Sequence, residues 1–174
     1  ENKDRPFYLN YWAFSVHGPW EAKPELIEKY AAKADPNSPQ RNPVYAAMVK
    51  SVDDSVGRIL AVLDELGLAE ATCVVFFSDN GGLHTVTDNA PLRMGKGYPY
   101  EGGVREALAV RWPGTVPAGV RSGVRVSSID FFPTIARLAG AVLPADRAID
   151  GLDLSRVLTG KSGTLPERDL FWHF

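Results

Sequence analysis

The chain has 174 residues, about the size of one domain, and 45% of them are hydrophobic and 23% charged, which excludes a disordered, collagen-like or coiled-coil protein. Nineteen basic residues against 21 acidic ones leave a net charge of −2 without a basic cluster, which argues against a nucleic-acid partner. The single cysteine excludes an internal disulfide.

The two ends of the sequence suggest a piece of a longer protein. The chain opens without an initiator Met or an apolar leader, and it stops on three aromatic residues within residues 171–174. Its longest uncharged stretch, residues 6–20, is too short for a bilayer and holds two prolines, so we expect no membrane span.

The first elements in chain order are an apolar run and a short helix. Residues 7–15 are aromatic and apolar, which predicts a mostly buried strand, and residues 17–19 (His-Gly-Pro) break it. Residues 24–33 are typical of a short helix. The proline-rich residues 35–43 predict a loop.

A long amphipathic helix is the clearest element of the sequence. Apolar side chains recur at steps of three and four between residues 45 and 66. Asn42 and Pro43 are suited to its N-cap and first turn, and Gly67 to its C-terminal cap.

The second half predicts strands that alternate with a loop and a helix. Residues 72–78 are continuously apolar, which suits a strand covered on both faces, and residues 79–103 form a long glycine-rich loop of the kind that is usually functional. Residues 107–112 and 124–126 are further strand candidates, and residues 131–138 predict a helix. The pattern favours an α/β fold with a mainly parallel sheet sandwiched by helices.

The first candidate site follows the most apolar strand. In open α/β sheets ligands lie beyond the carboxyl ends of strands. Asp79 and Asn80 offer hard oxygen atoms suited to calcium or magnesium, and Gly81 and Gly82 permit the turn that would bring both onto one ion. The alternative is a strand-ending Asx turn without a ligand.

Two cations are candidates for binding an anion. His17, after the aromatic run, is suited to hydrogen-bond an anion or move a proton, or else it only packs in a turn. Lys96 lies between two glycines, which would let an anion approach closely, or else it is a solvated loop lysine. The segment is not a Walker loop, because residue 90 is alanine and Gly97 replaces the Ser or Thr that binds magnesium.

Other polar residues predict no chemistry. Cys73 lies inside an apolar strand, where a thiol is normally inert. Asp53 and Asp54 fall opposite the apolar stripe of the long helix, and Ser128 or Asp130 is suited to cap the helix at 131–138. Nothing in the sequence assigns a role to His84.

The order and spacing of several short motifs are together specific. The motifs are His17-x-Pro19 and residues 52–57, 77–82, 91–93, 95–97, 100–105, 111–114, 130–134 and 150–151. In this order they resemble the formylglycine-dependent sulfatase family, within the alkaline-phosphatase-like superfamily. The resemblance implies that residues 1–174 are the C-terminal portion of a sulfatase catalytic domain whose N-terminal part is missing, with no second complete domain.

The family resemblance implies a role for four residues. Asp79 and Asn80 match two ligands of a divalent cation, usually calcium with magnesium possible, while His17 and Lys96 match side chains that contact the sulfate ester. The implied substrate is a sulfate monoester of a small molecule or glycan, and export to the periplasm or medium is an expectation by analogy.

The sequence departs from the family pattern at two places. The nucleophile, a formylglycine made from Cys or Ser in a Cys-x-Pro-x-Arg segment, has no counterpart here, and Met94 stands where many relatives have glycine. Calcium takes about six to eight oxygens, of which Asp79 and Asn80 supply about three, so these residues alone are expected to be inactive. The alternatives are a phosphodiesterase or phosphonate hydrolase of the same superfamily and a non-catalytic anion-binding relative.

Overall fold

The computed structural model describes residues 3–172, which form two compact units. The first comprises residues 3–69 and 80–107, and the second comprises residues 70–79 and 108–172. The elements in chain order are α1 (Pro24–Ala31), α2 (Pro43–Glu65), β1 (Val74–Phe77), α3 (Glu101–Val104), β2 (Leu108–Arg111), a 3₁₀ turn (Ser128–Asp130), α4 (Phe131–Leu138) and α5 (Ser155–Leu158). Within residues 3–172, none of the helices has the length and apolar character that a bilayer crossing requires.

Helix α2 forms the core of the first unit and packs against α1. The Asn42 side chain accepts a hydrogen bond from the Tyr45 amide at 3.0 Å, and the chain leaves the helix through Gly67 at a φ of 68°. Ala47, Met48 and Leu63 are buried on its inner face. The predicted helix and both of its caps are confirmed.

The aromatic segment at residues 7–14 departs from the prediction. It carries no strand, and its large side chains are exposed: Tyr8 by 74%, Trp12 by 85% and Phe14 by 73%. A strand requires a neighbouring backbone to pair with, and no described strand borders this segment. The prediction of a mostly buried strand at residues 7–15 is therefore wrong for the described structure.

The second unit contains an antiparallel strand pair. Val74 pairs with Arg111 and Phe77 with Leu108, so the prediction of a mainly parallel sheet is wrong for β1 and β2. Parallel strands need a connection that returns to the opposite end of the sheet. Here the chain leaves β1 and enters β2 at the same end. Both strands lie within their predicted ranges, whereas residues 124–126 form no strand.

Helix α4 occupies its predicted residues and packs on β1. The Phe131 ring meets the Phe77 ring edge to face, with centroids 4.9 Å apart. Across the sheet, the Trp112 indole donates to the Glu70 carbonyl at 2.8 Å. The first contact joins β1 to α4, and the second joins the residue after β2 to the start of the second unit.

The Asp130 carboxylate lies at the centre of the second unit. It is completely buried, accepts from the amides of Ser127 and Leu152 at 2.8 Å each, and forms an ion pair with Arg168. Burial opposes ionisation, but the guanidinium and the two amides outweigh it and hold the pKa of Asp130 below its usual value. Asp130 occupies the N-cap position of α4, but its carboxylate makes no capping hydrogen bond to that helix, so the predicted capping role is wrong. The carboxylate instead caps the 3₁₀ turn through the Ser127 amide and joins this turn to Leu152 and Arg168.

Candidate functional site

The loop at residues 80–107 of the first unit is held together by its own backbone. The Lys96 amide donates to the Gly82 carbonyl at 3.1 Å, and the Gly81 amide donates to the Gly103 carbonyl at 3.3 Å. These bonds bring the segment after Asn80 alongside the segment that carries Lys96. Two predicted site residues therefore share one ordered loop.

Close backbone contact explains why this loop is rich in glycine. A Cβ on Gly81 would lie 1.8 Å from the Gly102 carbonyl oxygen, and a Cβ on Gly95 would lie 2.1 Å from the Gly82 carbonyl oxygen. Neither position leaves room for a side chain. The sequence predicted that Gly81 and Gly82 permit a turn, whereas at Gly81 the structure shows contact with a distant part of the loop.

Two amide side chains fix the outer arm of this loop, residues 83–90. Asn89 donates through Nδ2 to the Gly82 carbonyl at 2.8 Å. Gln40 donates to the Asp88 carbonyl and accepts from the Thr87 hydroxyl, both at 2.6 Å. Sequence reasoning missed both residues, because a single asparagine or glutamine in a loop gives no signal of its partner.

Lys96 combines a fixed backbone with an available charge. Its side chain is partly exposed, and within residues 3–172 its ammonium has neither an ion pair nor a hydrogen bond. The neighbouring Gly97 has a φ of 86°, which a glycine adopts without strain. An ammonium without a partner among the described residues retains its donors for an anion.

Asp79 and Asn80 supply the chemistry of a hard cation site in part. The Asn80 amide nitrogen donates to the Gly81 carbonyl at 3.2 Å, and Asp79 is exposed with no hydrogen bond or ion pair from a described residue. Their oxygen donors fit calcium or magnesium. No group of three His, Cys, Asp or Glu in the described residues is arranged to hold a metal, so the fit is limited to these two donors.

His17 lies in a turn at the end of the aromatic segment. Its Nδ1 is 2.8 Å from the Gly18 carbonyl oxygen, and its amide donates to the Phe14 carbonyl at 3.1 Å. A carbonyl oxygen only accepts, so Nδ1 carries a proton and Nε2 is the nitrogen left for a ligand. The described contacts of His17 lie within residues 14–18, and none of them joins it to Asn80 or Lys96.

Cys73 has the character expected of a packed thiol. It is free and partly buried, and burial raises the pKa of its thiol. A raised pKa leaves less of the reactive thiolate. This agrees with the prediction that Cys73 is inert.

Comparison with known proteins identifies the family. The model of the sulfatase family matches residues 1–141, and the chain belongs to this family. It is 40% identical to a sulfatase of Formosa agariphila over 98% of this chain and 33% of that protein. It is 39% identical to the N-acetylgalactosamine-6-sulfatase of Canis lupus familiaris over 97% of this chain and 31% of that protein.

The solved structures agree on the fold. The structure of Ps i-CgsB in complex with k-i-k-neocarrahexaose has a TM-score of 0.75 and 35% identity, covering 82% of this chain and 31% of that one. The alkaline-phosphatase-like fold class is therefore confirmed. The chain spans about a third of the length of the curated relatives it matches.

Proposed function

We propose that the full-length protein containing this chain is a sulfuric ester hydrolase and that residues 1–174 contribute part of its active site. The main observation is the Lys96 ammonium, which has no partner in the described residues and whose backbone is bonded to Gly82, two residues from Asn80. The match of residues 1–141 to the sulfatase family supports the same reaction.

Lys96 and His17 are proposed as the catalytic residues of this chain. Transfer of a sulfuryl group concentrates negative charge on oxygen atoms, which a fixed ammonium stabilises. His17 would meet the ester through Nε2, since Nδ1 is bonded to the Gly18 carbonyl. A protonated His17 can then donate from Nε2 to an ester oxygen while Nδ1 stays bonded.

Asp79 and Asn80 are proposed as two ligands of a divalent cation, with calcium favoured. When bound, the cation would neutralise charge on the sulfate group. Their carboxylate and amide oxygens are the donors that such an ion prefers, and further ligands and the formylglycine nucleophile would come from residues outside 1–174.

The proposed substrate is a sulfate monoester carried by a glycan. The support is the similarity to an N-acetylgalactosamine-6-sulfatase and to a sulfatase-family structure that holds a neocarrahexaose. Export to the periplasm or medium remains a proposal from family resemblance.

The test measures hydrolysis of 4-nitrophenyl sulfate by the full-length enzyme. Asp79→Ala and Lys96→Ala should each lower kcat/KM by about 100-fold or more, the effect of removing one charge-stabilising group. Lys33→Ala and Asp146→Ala are matched controls, since both side chains are exposed in other parts of the chain, and they should retain wild-type activity.

Three results would contradict the proposal. Wild-type rates in both site variants would remove Asp79 and Lys96 from the site. Faster turnover of bis(4-nitrophenyl) phosphate than of the sulfate ester would favour the phosphodiesterase alternative. Sulfate binding without turnover of either ester would favour an anion-binding relative.

A further inference from the structure

His84 and Tyr98 form an aromatic pair beside the Lys96 backbone. Their ring centroids are 5.4 Å apart and the rings are inclined by 75°, edge to face. His84 follows Gly82 by two residues and Tyr98 follows Lys96 by two residues, and the Lys96 amide donates to the Gly82 carbonyl. The Tyr98 amide also donates to the Gly95 carbonyl at 3.1 Å, so the residues that carry the pair belong to the same hydrogen-bonded loop as Lys96.

The two rings are not part of a core. His84 is exposed and Tyr98 is 38% exposed. Within residues 3–172 neither the imidazole nitrogens nor the phenol hydroxyl has a hydrogen-bond partner. An ordered aromatic pair with unused polar groups is typical of a binding surface, where apolar faces give contact area and a few polar atoms give orientation.

We infer that His84 and Tyr98 bind the pyranose ring that carries the sulfate group. This rests on the proposed sulfatase function, in which Lys96 receives the sulfate itself. A pyranose has apolar faces and a rim of hydroxyl groups. A pyranose therefore fits two inclined rings with a phenol and an imidazole better than a flat aryl group does, because the aryl group has no such rim.

The experiment uses the full-length enzyme with galactose 2-, 4- and 6-sulfate, N-acetylglucosamine 6-sulfate and 4-nitrophenyl sulfate. For the sugar sulfate that the wild type hydrolyses fastest, His84→Ala and Tyr98→Ala should each raise KM about tenfold. The inhibition constant of inorganic sulfate should stay within twofold, because sulfate alone lacks the sugar ring that the pair is inferred to contact. Tyr98→Phe, which keeps the ring, should raise KM less than Tyr98→Ala.

The outcomes separate this inference from the proposed function. An unchanged KM for the sugar sulfate in both alanine variants would overturn it, and so would an equal loss of sulfate inhibition, which indicates a disturbed loop. A wild-type enzyme that hydrolyses 4-nitrophenyl sulfate but no sugar sulfate would overturn it together with the proposed glycan substrate, and would keep the proposed sulfuric ester hydrolysis. Failure with every sulfate ester would overturn both.

Discussion

Gly81 and Gly102 lie so close that a methyl group on Gly81 would be 1.8 Å from the Gly102 carbonyl oxygen. The Cβ is attached directly to the backbone and the carbonyl oxygen is part of it, so neither atom can rotate away to relieve the overlap. Gly81→Ala should therefore displace the loop that carries Lys96 and destabilise it by about 1–3 kcal/mol, the usual effect of overpacking. Hydrogen exchange at the Lys96 amide, which is bonded to Gly82, measures this directly.

Gly57→Ala is the matched control for this substitution. Gly57 lies on the exposed side of α2, and a Cβ there meets nothing within 4 Å. Alanine in a helix interior is favoured over glycine by about 0.5–1 kcal/mol, so this variant should be slightly more stable. Equal exchange in wild type and Gly81→Ala would show that the loop accommodates a side chain.

The contrast between α2 and the loop shows which parts of the structure are encoded locally. The caps of α2 lie within three residues of the helix ends, so the sequence alone predicts them. The contact of Gly81 with Gly102 and the bond of Asn89 to Gly82 join residues far apart in the chain, where no local pattern reveals the partner. The same holds for β1 and β2, whose direction depends on where the intervening chain returns.

The candidate site also contains some residues that the sequence alone predicts and others that only the structure reveals. Residue type and the family motifs predict Asp79, Asn80, His17 and Lys96, because their chemistry is visible in the sequence. The pairing of His84 with Tyr98 cannot be predicted from the sequence, because it depends on two arms of the loop lying side by side.

Breaking the ion pair between Asp130 and Arg168 should destabilise the second unit. Asp130→Asn leaves the Arg168 guanidinium, which is 17% exposed, without its counter-charge. Removing one partner of a buried pair costs about 3–5 kcal/mol. Hydrogen exchange of the full-length protein should show faster exchange at the Leu152 amide, which donates a hydrogen bond to the Asp130 carboxylate.

The exposed pair of Asp146 with Arg147 provides the control. Both side chains are about two-thirds exposed, and Asp146→Asn should leave exchange in the second unit unchanged. Similar effects in the two asparagine variants would show that the burial of Asp130 adds nothing to its pairing.

Acid should weaken the same ion pair. The pKa of Asp130 lies below the value of about 3.9 that an aspartate has in an unfolded chain. A lowered pKa in the folded state contributes stability that is present above pH 4 and is lost as the pH falls through the folded-state value. Protection of the Leu152 amide, measured against its intrinsic exchange rate at each pH, should therefore fall below about pH 4 in the wild type and change less over that range in Asp130→Asn. An identical pH dependence would contradict this.

Met94 occupies a backbone conformation that favours glycine. Its φ is 62°, in the left-handed region, where a side chain costs about 1–2 kcal/mol. Met94→Gly should raise the thermal unfolding temperature of the full-length protein slightly, because relief of strain exceeds the added freedom of the unfolded chain. Met94→Val should lower it, because a β-branched residue fits this region poorly. A lower temperature for the glycine variant would show that the Met94 side chain contributes packing that outweighs the strain.

The exposed aromatic segment at residues 7–14 should make the isolated 174-residue chain self-associate. Tyr8, Trp12 and Phe14 are each more than 70% exposed and lie within one short segment, and contiguous apolar surface of this kind promotes aggregation or binding. Sedimentation should show oligomers, and the dye ANS should fluoresce on the chain. Replacing Tyr8 and Trp12 with lysine should reduce both signals. Lysine at two exposed polar positions is the control and should leave both signals unchanged. Gln40 is not used for this control, because it anchors the loop. A monodisperse monomer that binds no dye would show that the segment is covered by other residues of the chain.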